Sequence, residues 1–358
     1  MSSVWNNKIS VSVFGEAESP AIGITVNNLP SGEYIDVAEI HKFMIRLKGS
    51  ERRENIIPHV MSGLFNERTT GAPLCAFIQN YSPEPSFGQN PDRLARAGHA
   101  DYTGAVRYRG FNDVRNSGHF SERLNVPVCF AGAVCGQILE RRGIYVGAHI
   151  ASVYKIKDNP FNPVKVTRED IINIREKDFP VINDRKGSLM LEEIERIRKT
   201  GDSVGGVVEC AITNVPAGIG SPIFDGLQNT IAQLIFGIPL VTGIEFGTGF
   251  RSSGMTGSDW NDNFYVDSHN HILTETNNHG GILGGISSGM PIIFRVAFRP
   301  NPTFTKPQTA VDMREMTGKT YCTEKDYDPC TVIKAVPAVE AVANMAILTH
   351  MMEYPNFC

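Results

Sequence analysis

The chain has 358 residues, is 41% hydrophobic and 20% charged, contains 34 glycines and carries a formal net charge of −4. That length can bury a large core as one large domain or two ordinary ones, and without a strongly basic field nucleic acid is excluded as the main partner. The first residues lack a signal-peptide core and no apolar run reads as long enough to cross a bilayer, so a cytoplasmic protein with no membrane partner is expected.

The seven cysteines include no Cys-x-x-Cys pair, which points to reduced, mostly buried thiols and to no structural metal. From the N-terminus, Lys8–Phe14 alternates like a half-buried strand and Ala21–Val26 reads as a second. The connector between them holds Glu16 and Glu18. After the turn Asn28-Leu-Pro-Ser-Gly32, the spacing of Val37, Ile40, Met44 and Leu47 predicts a helix capped by Asp36. Arg46, Lys48, Arg52 and Arg53 at its end suit a helix C-terminus, or form a basic lip over an anionic substrate. Residues 69–80 read as a turn feeding a buried strand, and 81–96 as a loop.

Gly98-His99-Ala-Asp-Tyr-Thr103 opens the densest chemistry, followed by Arg107, Arg109, Arg115, His119, Ser121 and Arg123. Four arginines and two histidines interleaved with glycine read as an anion-binding loop. An apolar helix from about Ser121 to Arg141 directs its N-terminal dipole at that loop. A strand at Tyr145–Val153, a polar surface excursion over 155–187 and a helix at Ser188–Lys199 with Leu191, Ile194 and Ile197 inward come next. The strand ending at Thr213 leads to Asn214-Val-Pro-Ala-Gly218, an echo of the turn at 28–32 that also precedes a helix, Phe224–Phe236; two internally similar halves within 1–358 are one reading. Val241–Phe246 is a strand.

Thr276–Gly289 has five glycines in fourteen residues, enters the strand Pro291–Phe298 and ends in the turn Arg299-Pro300-Asn301-Pro302-Thr303. That combination reads either as a tight turn or as a site for a phosphorylated ligand. Asp328 precedes a long buried helix, Thr331 to about Met352, and reads as its cap or as a catalytic carboxylate. Irregular alternation of elements favours an α+β fold with antiparallel sheets, and no Walker loop or Gly-x-Gly-x-x-Gly is present.

In combination, Gly98–Thr103, Gly201-Asp-Ser-Val-Gly-Gly206, Asn277–Gly289, Asp328-Pro-Cys330 and Ala335-Val-Pro337 resemble chorismate synthase over nearly the whole chain. The resemblance implies antiparallel β-sheets sandwiched by helices, a homotetramer, reduced FMN as cofactor with NADPH as an optional reductant, and the small phosphorylated substrate 5-enolpyruvylshikimate 3-phosphate. The implied reaction is a 1,4-elimination of phosphate to chorismate in the shikimate pathway to aromatic amino acids. It further implies His99 as proton donor to the reduced flavin and Asp328 as helper in accepting the substrate proton. His119, Phe120, Ser121, Gly284, Arg299, Pro300, Asn301, Pro302 and Thr303 are implied to bind flavin, and Arg123 substrate. Arg46 and Lys48 join it as candidate substrate cations. The chain departs from the family pattern where Glu18 stands in place of the His that protonates the leaving phosphate, where Asp326 replaces an Arg, and where Asn116-Ser117-Gly118 replaces three glycines. A flavin-binding relative with another substrate, or a catalytically silent ligand-binding oligomer, are the other readings.

Overall fold

The computed structural model describes residues 3–48, 56–80, 94–323 and 327–354, with Lys48 described in its backbone only. Arg52, Arg53, Asp326 and most of the expected loop over 81–96 lie outside the described residues.

Two five-stranded antiparallel sheets carry the architecture. The first comprises β1 (Val4–Asn6), β2 (Ser10–Phe14), β3 (Ala21–Asn27), β4 (Pro58–Ser62) and β5 (Leu74–Gln79), in the order β1-β2-β3-β5-β4. The second comprises β6 (Tyr145–Val153), β7 (Ile156–Lys157), β8 (Gly206–Thr213), β9 (Val241–Phe246) and β10 (Ile292–Phe298), in the order β7-β6-β8-β10-β9. The helices in chain order are α1 (Val37–Ile45), α2 (Asp101–Arg107), α3 (Asn125–Glu140), α4 (Arg168–Arg175), α5 (Asp184–Lys199), α6 (Leu227–Ile235), the single turn α7 (Gly257–Trp260) and α8 (Val332–Met351).

Side-chain alternation along the second sheet decides what covers each face. Cys210, Ile212, Ile292 and Phe294 point into the main core, which also holds the buried residues of the first sheet, α1, α3, α6 and α8. Their neighbours Ala211 and Ile293 point the other way, into a smaller core with Phe161, Val166, Ile171 and Ile174. The two sheets thus enclose a central helix layer, and α4 covers the outer face of the second sheet.

The excursion over 155–187 is therefore less superficial than its charge suggests. Thr167 and Asp170 form a capping box that starts α4, and Ile171 and Ile174 recur at helical spacing beneath the charges. The next helix begins at Asp184, capped by Asn183, four residues before the expected start. Its buried stripe is consequently Gly187 and Met190, and Leu191 is 46% exposed rather than inward. Among the described cysteines, Cys129, Cys135, Cys210 and Cys330 are buried, and burial pushes the Cys135 and Cys330 thiols up to about 12.

α8 is long and apolar enough to cross a membrane, contrary to the expectation from sequence, but 89% of that window is buried inside the protein. It is a core helix, and it packs against α3 at very close range. A Cβ on Gly132 would lie 2.3 Å from the Ala341 Cα and 2.6 Å from its carbonyl oxygen. In an exposed helix Gly→Ala stabilises by about 1 kcal/mol. Here Gly132→Ala is expected to lower the thermal midpoint, because the α8 backbone must move and overpacking costs about 1–3 kcal/mol. A raised midpoint would show that the helices are not in contact there.

The turns at 28–32 and 214–218 share one construction. Asn28 and Asn214 have φ of 65° and 64°, a left-handed region that Asn tolerates. Each amide Nδ2 donates to a backbone carbonyl at the foot of the neighbouring strand: Lys8 at 3.0 Å and Gly143 at 2.8 Å. Each turn follows the middle strand of its sheet (β3, β8) and precedes a helix (α1, α6) and a strand at the sheet edge (β4, β9).

The segment outside the second sheet is held by charge as well as by apolar contact. His149 on β6 is fully buried, with Nε2 hydrogen-bonded to Glu209 Oε2 at 3.0 Å and Nδ1 ion-paired with Asp158 Oδ2 at 3.2 Å. Asp158 also accepts from the amides of Ile182 and Asn183, so it ties the start of α5 to the sheet. Burial by itself lowers the imidazole pKa, but Asp158 and Glu209 outweigh it and the net shift is upward. A raised folded pKa gives stability that is complete below about 6.5, the ordinary His value, and is lost as pH rises through the folded value. Urea midpoints are expected to fall on the alkaline side in the native protein, and His149→Gln is expected to flatten that limb. An unchanged alkaline limb in the variant would remove His149 as its source.

Candidate active site

Three distant stretches meet at one cavity of about 620 Å³. Gly98 and His99 come from the loop before α2, and Ser117 to Glu122 from the loop before α3. Arg299, Asn301, Pro302 and Thr303 come from the turn after β10. The turn fits against the loop because residue 98 is glycine. Its φ is +73°, and a Cβ there would lie 2.7 Å from the Pro302 Cβ. Arg299 donates to the Gly98 carbonyl at 2.8 Å and Thr303 Oγ1 lies 3.4 Å from His99 Nε2. Asn301 anchors the turn from behind: its Nδ2 donates to the Asp328 carbonyl at 3.0 Å, and its own carbonyl accepts from Ser203 at 2.6 Å. The Gly201–Gly206 motif is thus scaffolding for this wall, reinforced where Val204 N donates to the Pro329 carbonyl at 2.8 Å.

The cavity is also lined by the apolar side chains of Trp5, Val11, Val13, Leu234, Ile238 and Met345. His119 lines it as well, its Nε2 lying 3.0 Å from Oγ of Ser3, another lining residue. The β1 and α6 contributions were not readable from sequence, because isolated apolar residues carry no signal beyond burial.

Burial, with Arg96 and Arg299 beside it, pushes the His99 imidazole down to about 4. His99 is therefore neutral at neutral pH, and an anion that offsets those guanidinium groups raises its proton affinity. Arg96 is itself paired with Asp101, Nε to Oδ2 at 2.7 Å. Asp328 lies just behind the wall. Its Oδ2 is 2.6 Å from Lys334 Nζ and its Oδ1 accepts from Cys330 N at 3.0 Å. It does not cap α8, whose N-cap is Thr331.

Several expected site residues sit elsewhere. Glu18 accepts from Asn116 Nδ2 and does not line the cavity. Asn116 and Ser117 both have left-handed φ, 44° and 67°, and this bend carries the chain from the Glu18 contact to the cavity wall at Ser117 and His119. Arg123 donates to Asn80 Oδ1 at 3.1 Å, in the polar zone around the Gly15–Ser19 connector. Arg115 is paired with Asp113 at 2.7 Å, while Arg107 and Arg109 are exposed, so Arg299 rather than the 107–123 run supplies the cavity's cation. Arg46 makes a bidentate pair with Glu340 of α8 and is absent from the cavity wall. Gly284, with φ +60°, lies at the tip of the hairpin Ile282–Leu283/Ile286–Ser287, where a Cβ would meet nothing within 4 Å. The glycine loop is fastened as a structural knot: Asn277 Nδ2 donates to the carbonyls of Pro163 and Pro291, and Asp262 accepts from Thr276 Oγ1 and from the amides of Asn278 and His279. Pro300 stands in the wall turn but does not face the cavity.

The family model described as chorismate synthase matches residues 9–352. The chain belongs to the chorismate synthase family. A chorismate synthase of Thermococcus kodakarensis is 38% identical over 349 residues, covering 96% of each chain. One from Korarchaeum cryptofilum is 38% identical over 357 residues, covering 98% of this chain and 97% of its own. A crystal structure of chorismate synthase superposes with a TM-score of 0.77 at 23% identity, covering 96% of this chain and 92% of that one, so the α+β fold is that of the family. Chorismate synthases are lyases of the shikimate pathway, and the cavity is lined by one of the motifs that carried the resemblance, Gly98–Thr103, with residues of two others, Ser203 and Asp328, bonded to the back of its wall.

Proposed function

We propose that the protein converts 5-enolpyruvylshikimate 3-phosphate to chorismate, with reduced FMN held in the cavity as a non-consumed cofactor and an external or NADPH-derived supply of reductant. The observation that supports this most directly is the meeting of His99, Arg299 and Thr303 on one wall, with the Asp328–Lys334 pair immediately behind it. The cavity volume falls in the range of about 300–1,000 Å³ typical of small-ligand sites. A lining that mixes apolar side chains with a guanidinium, imidazoles and hydroxyls suits an amphipathic ring system bearing an anionic tail. His119, Phe120, Ser121, Arg299, Asn301, Pro302 and Thr303 would hold it.

When bound, the reduced flavin lends electron density as the carbon–oxygen bond breaks. The chain's own residues do the rest. Arg299, on the cavity wall, offsets anionic charge. His99 takes up a proton once an anion is bound and can return it. Asp328, paired with Lys334, assists removal of the substrate proton in this reading.

We further propose that this happens in the cytoplasm, in a chain of two similar halves assembled as a homotetramer. The apolar side chains left on the surface, Ile223 at 73%, Phe224 at 85% and Phe264 at 64% exposure, offer surface for such contacts. Incubating the purified protein anaerobically with dithionite-reduced FMN and the enolpyruvyl substrate tests the activity. Chorismate absorbance is the expected outcome, and its absence with flavin bound would overturn the assignment.

A further inference from the structure

Glu122 lines the cavity from the short turn Glu122–Leu124 that leads into α3. Three charged groups act on its carboxyl: Lys334 from α8, Asp328 from the segment before α8, and Arg299 from the wall turn. Lys334 is already committed to Asp328 at 2.6 Å, and Arg299 donates to the Gly98 carbonyl. Glu122 is thus the carboxyl group on the cavity lining among the described residues, while Asp328, behind the wall, holds the lysine. Burial raises the Glu122 pKa, the nearby Asp328 charge adds to the rise, and Lys334 and Arg299 oppose it without cancelling it. The other acid expected at this site, Glu18, is bound to Asn116 away from the cavity.

We infer that Glu122 is the general acid of this site, donating its proton to the phosphate oxygen of the bound substrate as that group leaves. The inference rests on the proposed reaction. The carbon–oxygen bond breaks with its electron pair going to the phosphate oxygen, and the Glu122 O–H bond breaks as a new phosphate O–H forms. The substrate's C–H proton passes to Asp328, and transfer from Asp328 to Glu122 restores the starting state. No oxidant or reductant is consumed.

The experiment combines Glu122→Gln with three readouts. Infrared difference spectroscopy over a pH titration is expected to show in the native protein a carboxyl band that persists above the ordinary Glu range and disappears in the variant. Binding of inorganic phosphate by titration calorimetry is expected to weaken with rising pH more in the native protein than in Glu122→Gln, because only the native side chain gains a negative charge. In turnover, the variant is expected to lose about 100-fold in kcat with KM within about threefold, and to lose the alkaline limb of the pH–rate profile. A carboxyl band that survives the substitution, or parallel phosphate-binding curves, would overturn the inference even if the native protein made no chorismate. Native turnover with full kcat in the variant would overturn the donor role. Failure of the native protein to make chorismate is the separate result that removes the proposed reaction.

Discussion

Arg46→Ala is expected to destabilise the protein by about 3–5 kcal/mol, the range for breaking a buried ion pair by removing one partner. Glu340 lies at the middle of α8 with no solvent exposure, and the Arg46 guanidinium holds both of its oxygens. The Ala148 amide also donates to Glu340 Oε1 at 2.9 Å, and Arg175 Nε approaches Oε2 at 4.0 Å. Removing Arg46 leaves that carboxylate facing the core with one amide and one distant guanidinium. The substitution is expected to lower the denaturant midpoint sharply with an unchanged slope, while any folded fraction keeps its affinity for substrate. Arg46→Met combined with Glu340→Leu is expected to recover most of the loss, since apolar replacement of a buried pair is often neutral. If Arg46→Ala unfolds normally and raises KM by an order of magnitude, Arg46 is the substrate cation suggested by its place after α1.

Asp328→Asn is expected to have the opposite profile. Its partner Lys334 has 37% of its side chain exposed, so losing the pair costs at most about 1 kcal/mol. Catalysis is expected to fall by about 100-fold or more, the usual contribution of a positioned acid or base. Steady-state turnover beside thermal unfolding of the same preparation separates the two effects. A large stability loss with little change in kcat would make Asp328 a structural residue of the α8 approach.

The strand and helix core was legible because it follows from periodicity. Tyr145–Val153, the Asp36-capped first helix and the final helix stand where residue spacing placed them. The excursion over 155–187 was not legible, because the four buried apolar residues of its small core are scattered among charges and prolines. At the site, His99 and the 299–303 turn could be read from motif chemistry, and the family resemblance supplied the other expected residues. What each cation faces could not be read. Arg46, Arg115 and Arg123 all looked available in sequence, and each is engaged by a residue from another part of the chain or by a close neighbour. Glu122 was passed over because nothing in its neighbours marks it as lining the cavity.

The joining of the first sheet to the last helix sets an order on how the chain can be made. The Ile9 amide donates to Thr349 Oγ1 across 340 residues, and the Arg46–Glu340 pair spans 294. The first half leaves the ribosome with the α3 face uncovered and with a charged arginine aimed at a core that does not yet exist. Contacts so distant in sequence slow folding and expose apolar surface meanwhile. Truncations that stop before α8 are therefore expected to be chaperone-bound or aggregated, because the core closes only once α8 has been made.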